Sequence, residues 1–225
     1  CATGASYKGR SAGGLGDLAA FSFHPRKSIT TGEGGMVTTN RDDLAETVNV
    51  LRNHGASVSE EQRHHGPQPY LLPEFNLLGF NYRMTDMQGA VGLVQLGKLD
   101  GFIAERAARA AWYSEALADI DWLETPEPPA ESSHAWQAYV VRVAPDAAPM
   151  ARNAIMARLQ DLGISTRPGT HAVHMLGLYR DRFGLSPGDY PGAQACERDT
   201  IALPLHNRMT DQDYEYVVTS LRDIA

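Results

Sequence analysis

Lysine is scarce in this chain of 225 residues: the basic residues number 20, and the lysines are Lys8, Lys27 and Lys98 alone. Arginine serves where charge alone is needed, so each lysine asks for a chemical reason. Cysteine is scarcer still. Cys1 and Cys196 stand far apart without CxxC spacing, which excludes a disulfide framework and a cysteine-based zinc site and fits a cytoplasmic address. A net charge of -7 leaves no basic excess to neutralise phosphates, so a general nucleic-acid binder or an anionic-membrane binder is excluded. No apolar run approaches the roughly 18 residues that would span a bilayer, and the N-terminus lacks the charged-then-apolar order of a signal peptide. No period of about 20 to 50 residues repeats, which sets solenoids and propellers aside. An initiator methionine is also lacking, and "CATGASYKGR" reads as the interior of a longer protein.

With 43% hydrophobic and 21% charged residues, the chain has the composition of an ordinary globular protein, with room for one sizeable core or two modest ones. "DLAAFSF" (17–23) and "GMVTTN" (35–40) predict two short strands, and "RDDLAETVNVLRNHG" predicts a helix ended by Gly55. Residues 57–78, with three prolines and the pair His64 and His65, predict a surface loop in which a metal is not expected. "TDMQ" (85–88) is a capping box opening a helix whose apolar face, from Met87 through Val94 to Ile103, predicts a core helix pair broken at Gly97 or Asp100. "TPEPPAESS" (125–133) reads as a linker, "WQAYVVRV" as a strand, "APMARNAIMARLQDLGI" as a helix ending at Gly163, and "ISTR" as a further strand. A second capping signature, Thr210 to Asp213, opens a final helix that buries Tyr214, Val217, Val218 and Leu221.

Between the first two strands lies "FSFHPRKSITTGEGGM", which places Lys27 in a loop rich in serine, threonine and glycine. An amine can lose its proton and attack a carbonyl, which a guanidinium cannot do. A Schiff base with an aldehyde cofactor needs such a lysine, a phosphate anchor nearby and a compliant backbone, and Ser22, Thr30, Thr31, Gly32, Gly34 and Gly35 supply candidate parts. Composition alone leaves a solvated surface lysine equally open.

The order of residues is more specific than their composition. "SFHPRKSITTGEGG", preceded by "GASYKGRSAGGLGDLAAFSF" and followed by "LRNHG", "GFNYRMTDMQGAVGLVQLGKLDGFIAERAARAAWYSEAL", "HAWQAYVVRV", "GISTRPGTHAVHMLGLYR" and "IALPLHNRMTDQDYEYVV", resembles the nucleotide-sugar aminotransferases of the DegT/StrS type over nearly the whole chain. These are pyridoxal 5'-phosphate enzymes of fold type I, similar to aspartate aminotransferase. The resemblance implies an α/β fold: residues 1–118 as the C-terminal portion of a mainly parallel-sheet, cofactor-binding large domain with connecting helices, and residues 119–225 as a small C-terminal α/β domain. It implies that Lys27 is the Schiff-base lysine and, once freed, the base that moves the substrate proton. Ser22 is implied as a phosphate ligand, Asn81 as a residue reaching the phosphate of a neighbouring subunit in a homodimer, and Tyr82 and Arg83 as sugar contacts.

The implied reaction takes an amine from glutamate and gives it to a 3- or 4-keto sugar on a nucleotide. A cyclitol acceptor, and a non-catalytic regulatory relative that holds cofactor or sugar, are the alternatives. A dehydrating deoxygenase is disfavoured because relatives of that type carry histidine where this chain has Lys27. His174, before "GLYR", is expected to contact substrate, with a packed histidine as the other reading. Arg167 is open between an anion contact and a surface ion pair, and Glu33 is expected to be buried and to fix the loop through backbone N–H groups. The resemblance also implies a preceding segment that carries the carboxylate for the pyridine nitrogen, so the chain alone is expected to expose apolar surface.

Overall fold

Antiparallel pairing of short strands organises both halves of the molecule. The computed structural model describes residues 1–224, apart from the side chains of Glu60 and Glu61. It divides into two units, Cys1–Gly101 with Ala130–Ala135, and Phe102–Pro129 with Trp136–Ala225. In chain order the elements are β1 (Ser6–Tyr7), β2 (Arg10–Ser11), β3 (Leu18–Ser22), β4 (Gly35–Thr39), α1 (Asp42–Arg52), α2 (Glu60–His65), α3 (Asp86–Leu96), α4 (Leu99–Ala116), β5 (Leu123–Glu124), β6 (Ser132–Ser133), β7 (Tyr139–Val143), α5 (Arg152–Asp161), β8 (Arg167–Pro168), α6 (Gly177–Phe183), α7 (Pro191–Asp199), β9 (Thr200–Leu203) and α8 (Asp211–Arg222).

In the first unit, β3 and β4 pair so that Phe21 faces Met36 and Ser22 faces Gly35. A second small sheet has the order β2-β1-β6, all antiparallel. Helix α1 begins with Asp42 and Asp43 and ends with Arg52, charges that complement the helix dipole. The predicted capping box is present at α3: the Thr85 hydroxyl accepts from Gln88 N while the Gln88 side chain accepts from Thr85 N. Gly55 and Gly79 let two backbone segments touch. A Cβ on Gly79 would collide with the backbone of His54 and Gly55, and Gly55 itself has φ +81.

The second unit holds the core. Its sheet runs β5-β7-β9-β8, with Tyr139 paired to Leu203 and Val141 to Ile201. Strand alternation sends Tyr139, Val141 and Val143 to one buried face. There they meet Tyr113 of α4 and Leu117 just after it, Ile155 and Leu159 of α5, and Tyr214, Val217 and Leu221 of α8. Each fully buried side chain of this size contributes about 1.5–3 kcal/mol relative to exposure. The ring of Tyr113 lies 5.1 Å from those of both Tyr139 and Tyr214. Their polar ends are satisfied, Tyr113 by donating to Pro204 O at 3.0 Å and Tyr139 through Ser114 Oγ at 2.9 Å. Burial pushes both phenols above their ordinary range, so they stay neutral. Arg106 is also buried, and its guanidinium donates to Trp136 O, Leu205 O and Asn207 Oδ1.

Several expectations are corrected. The segment 57–78 is not all loop: α2 forms there with a capping box between Ser59 and Gln62. Helix α3 buries none of its residues, and Met87 is 79% exposed, because no described element packs over its outer face; of the expected core pair, Leu99 of α4 is buried. "ISTR" contributes only Arg167 to a strand, paired with Ala202. Part of the expected linker, Ser132–Ser133, is β6. The expected exposure of apolar surface is present, with Leu72 at 83% and Leu78 at 92%.

Candidate active site

Ser22 ends β3, and the segment 23–34 leaves the strand and returns to Gly35 as a closed loop. Its neck is fastened by Phe23 N donating to Gly34 O at 2.8 Å. Thr30 Oγ1 and Thr31 N both donate to Phe23 O, so the two threonines after the lysine fold the loop back on itself. Lys27 sits at the turn, its backbone N donating to His24 O at 2.9 Å. His24 Nδ1 accepts from Arg26 N at 3.2 Å, which puts a proton on Nε2, facing Glu33 Oε1 at 3.8 Å. Thr31 Oγ1 and Gln88 Nε2 both donate to the Glu33 carbonyl, at 2.9 and 2.8 Å. Glu33 thus anchors the loop by its backbone oxygen. Its side chain is 76% exposed, contrary to the expectation that it is buried and works through its carboxylate. Gln88 therefore holds the start of α3 and the lysine loop at once.

The Lys27 side chain is half-buried, and its Nζ lies 3.0 Å from Cys1 Sγ. Among the described residues no carboxylate forms an ion pair with it. Ser22 Oγ accepts only a long contact from His24 N, at 3.4 Å. Behind the loop an apolar cleft of about 270 Å³ is lined by Phe23, Ile29, Met36, Met84, Leu93 and Leu96.

The narrow neck gives a direct prediction. A Cβ on Gly35 would sit 2.7 Å from Phe21 O, a backbone atom that cannot step aside. Gly35→Ala is expected to accelerate amide hydrogen exchange in 18–39 by at least about tenfold while leaving 136–222 unchanged. Unaltered exchange at Phe23 and Met36 would show that the hairpin tolerates the methyl group.

The other expected site residues fall in three places. Asn81 bridges its backbone to Asn53, and Arg83 Nη1 donates to Asn53 Oδ1 at 2.8 Å. Tyr82 is 70% exposed and stacks on Phe80 at 4.9 Å. Among the described residues no hydrogen bond or ion pair links these three side chains to Lys27 or Ser22. They are seated by His54 N on Phe80 O and Tyr82 N on Arg52 O, at the end of α1. His174 belongs to the second unit, buried, its ring 5.1 Å from that of Tyr190 and its Nε2 without a hydrogen-bond partner among the described residues. Glu197 Oε2 holds that loop by accepting from Ala172 N at 2.6 Å. Arg167 is exposed on β8.

Sequence reasoning missed Cys1 beside Lys27, Asn53 as the partner of Arg83, and Glu197. "LRNHG" flagged Asn53 only as part of a motif.

The residues present fit pyridoxal phosphate: a half-buried amine held by no carboxylate among the described residues, and a strand-end hydroxyl with acceptor and donor capacity to spare, share one braced loop. Comparison with known proteins points the same way. The family model described as the DegT/DnrJ/EryC1/StrS aminotransferase family matches residues 1–222. GDP-perosamine synthase of Caulobacter vibrioides is 37% identical over 224 residues, 99% of this chain and 56% of that protein. An aminotransferase from Psychrobacter cryohalolentis superposes with a TM-score of 0.88 at 29% identity, over 98% of this chain and 59% of its own. The aminotransferase TlmJ from Streptoalloteichus hindustanus gives 0.86 at 29% identity, over 100% of this chain and 56% of its own. The chain thus spans little more than half the length of the proteins it matches, and its mixed α/β architecture is a part of their fold. It belongs to the DegT/DnrJ/EryC1/StrS aminotransferase family.

Proposed function

We propose that the protein of which this chain is part is a pyridoxal-phosphate-dependent aminotransferase that moves an amine from glutamate to a 3- or 4-keto sugar carried on a nucleotide. The observation that carries this reading is the position of Lys27, the reactive amine in the "TTGEGG" loop of a chain matched to an aminotransferase family from end to end. Relatives with sugar-amine names support the substrate class, GDP-perosamine synthase foremost. The reading takes residues 1–118 as part of the cofactor-binding domain and 119–225 as the small domain, in a cytoplasmic homodimer.

Lys27 would hold the cofactor aldehyde by its amine, and Ser22 would donate its hydroxyl to the phosphate. Pyridoxal phosphate, when bound, supplies an electron sink for the charge left on an amino acid's Cα. Everything else falls to the protein. Lys27 would take the proton from Cα once its amine is free. Asn81, exposed beside Tyr82 and Arg83, reaches the phosphate in the partner subunit, while Tyr82 and Arg83 meet the sugar nucleotide. His174, buried with an Nε2 that no described residue satisfies, is the proposed further substrate contact.

The test uses the full-length protein loaded with pyridoxal phosphate. Addition of glutamate is expected to convert the visible cofactor band to that of the pyridoxamine form, with release of one equivalent of 2-oxoglutarate per active site, and a panel of keto-sugar nucleotides then identifies the acceptor. A spectrum indifferent to glutamate and to other amino donors would favour a binding protein without turnover.

A further inference from the structure

The thiol of Cys1 is the one side-chain partner of the Lys27 amine among the described residues, at 3.0 Å. The pairing is unforced by sequence proximity, since 26 positions separate the two residues. The backbone on both sides is ordered: Ala5 N donates to Ala2 O and Ala12 N to Ala5 O at the base of the β1–β2 hairpin, while the bonds from Phe23 and Thr31 fix the lysine loop.

Chemistry distinguishes a thiol from other partners here. A carboxylate at this distance would hold the amine as ammonium, and a backbone carbonyl would accept from it firmly. A thiol is a weak donor and a weak acceptor, so it orients the amine and lets it go. We propose that Cys1 is a positioning residue for Lys27, holding its amine at the place from which it attacks the cofactor aldehyde and releasing it when that bond forms. The inference rests on the reading of Lys27 as the cofactor-bound lysine. No redox step is involved: the hydrogen bond between nitrogen and sulfur breaks, and the amine nitrogen bonds the aldehyde carbon with loss of water.

If the two groups touch, each reports on the other. A cation beside a thiol raises the thiolate fraction, a minor form of the otherwise neutral thiol at pH 7 but the one that iodoacetamide alkylates. In the full-length, cofactor-free protein, Lys27→Met is expected to slow alkylation of Cys1 at pH 7 by about three- to tenfold, with exposed Cys196 unchanged as internal control. Conversely, Cys1→Ala is expected to slow covalent capture of added pyridoxal phosphate by about three- to tenfold, and Cys1→Ser, which keeps a donor and acceptor, to retain the wild-type rate within about twofold. Retained hydrogen-exchange protection of 18–39 certifies that the variants are folded. Alkylation of Cys1 indifferent to Lys27→Met, or capture by Cys1→Ala at the wild-type rate, overturns the proposal. Failure of the wild-type protein to capture cofactor on Lys27 overturns instead the functional reading, and the alkylation arm still decides whether the pair exists.

Discussion

Replacing Lys27 with alanine in the full-length protein is expected to lower steady-state amino transfer by at least about 10³-fold, because the proposed mechanism gives one amine two tasks, covalent tether of the cofactor and base at Cα. Lys27→Arg is expected to fail as badly. It keeps the positive charge and much of the reach, yet a guanidinium neither condenses with an aldehyde nor loses a proton in the working pH range. The comparison separates nucleophilic chemistry from electrostatics: an arginine variant that kept a tenth of the activity would mean that charge was the requirement. Ser22→Ala is a milder change, since a phosphate has other donors available, and it should raise the cofactor concentration needed for half-saturation more than it lowers turnover.

The largest effect on stability is expected from Tyr139→Ala. The side chain is fully buried at the start of β7, ring against Tyr113 and Trp136, with its hydroxyl bonded to Ser114. Truncation opens a cavity and removes one of the two partners of the Ser114 hydroxyl, which keeps Ala110 O, and losses of about 3–5 kcal/mol are usual for aromatic deletions in cores. Urea unfolding read by tryptophan fluorescence reports on this unit, since Trp112, Trp122 and Trp136 all lie in it. A shift below about 1 kcal/mol would mean that the site collapses around the loss. Tyr82, 70% exposed, is the control: its replacement should change stability by less than about 0.5 kcal/mol.

What the sequence made legible follows from how local each signal is. The capping boxes at Thr85 and Thr210 read correctly because four consecutive residues carry the whole interaction. The same pattern at Ser59 escaped notice because prolines and paired histidines around it signal a loop. Helices α6 and α7 and strand β9 were not anticipated: α6 is 7 residues long and β9 is 4, too short for periodicity to show. The exposure of α3 shows the limit of reading apolar spacing, which gives a sticky face without saying what covers it.

The site divides in the same way. Lys27 and Ser22 were visible because motif order carries them, and the loop's threonines and glycines have the local roles that turn chemistry assigns. Contacts spanning long stretches of chain were not visible. Cys1 meets Lys27 across 26 positions, Gln88 meets Glu33 across 55, and Arg83 meets Asn53 across 30, and no local pattern announces any of them. Glu33 was misjudged in part for the same reason: its role rests on a carbonyl that the nearby Thr31 hydroxyl and the distant Gln88 amide find, while its carboxylate stays in solvent.

The central claim is that a single amine, that of Lys27, takes the cofactor aldehyde into a reversible covalent bond. Borohydride reduction of the full-length protein saturated with pyridoxal phosphate, followed by proteolysis and mass mapping, measures this directly. The account predicts one phosphopyridoxyl group, on the peptide carrying "SFHPRKSITTGEGG". A label on Lys8, on Lys98 or on another side chain, or no label at all, would contradict it.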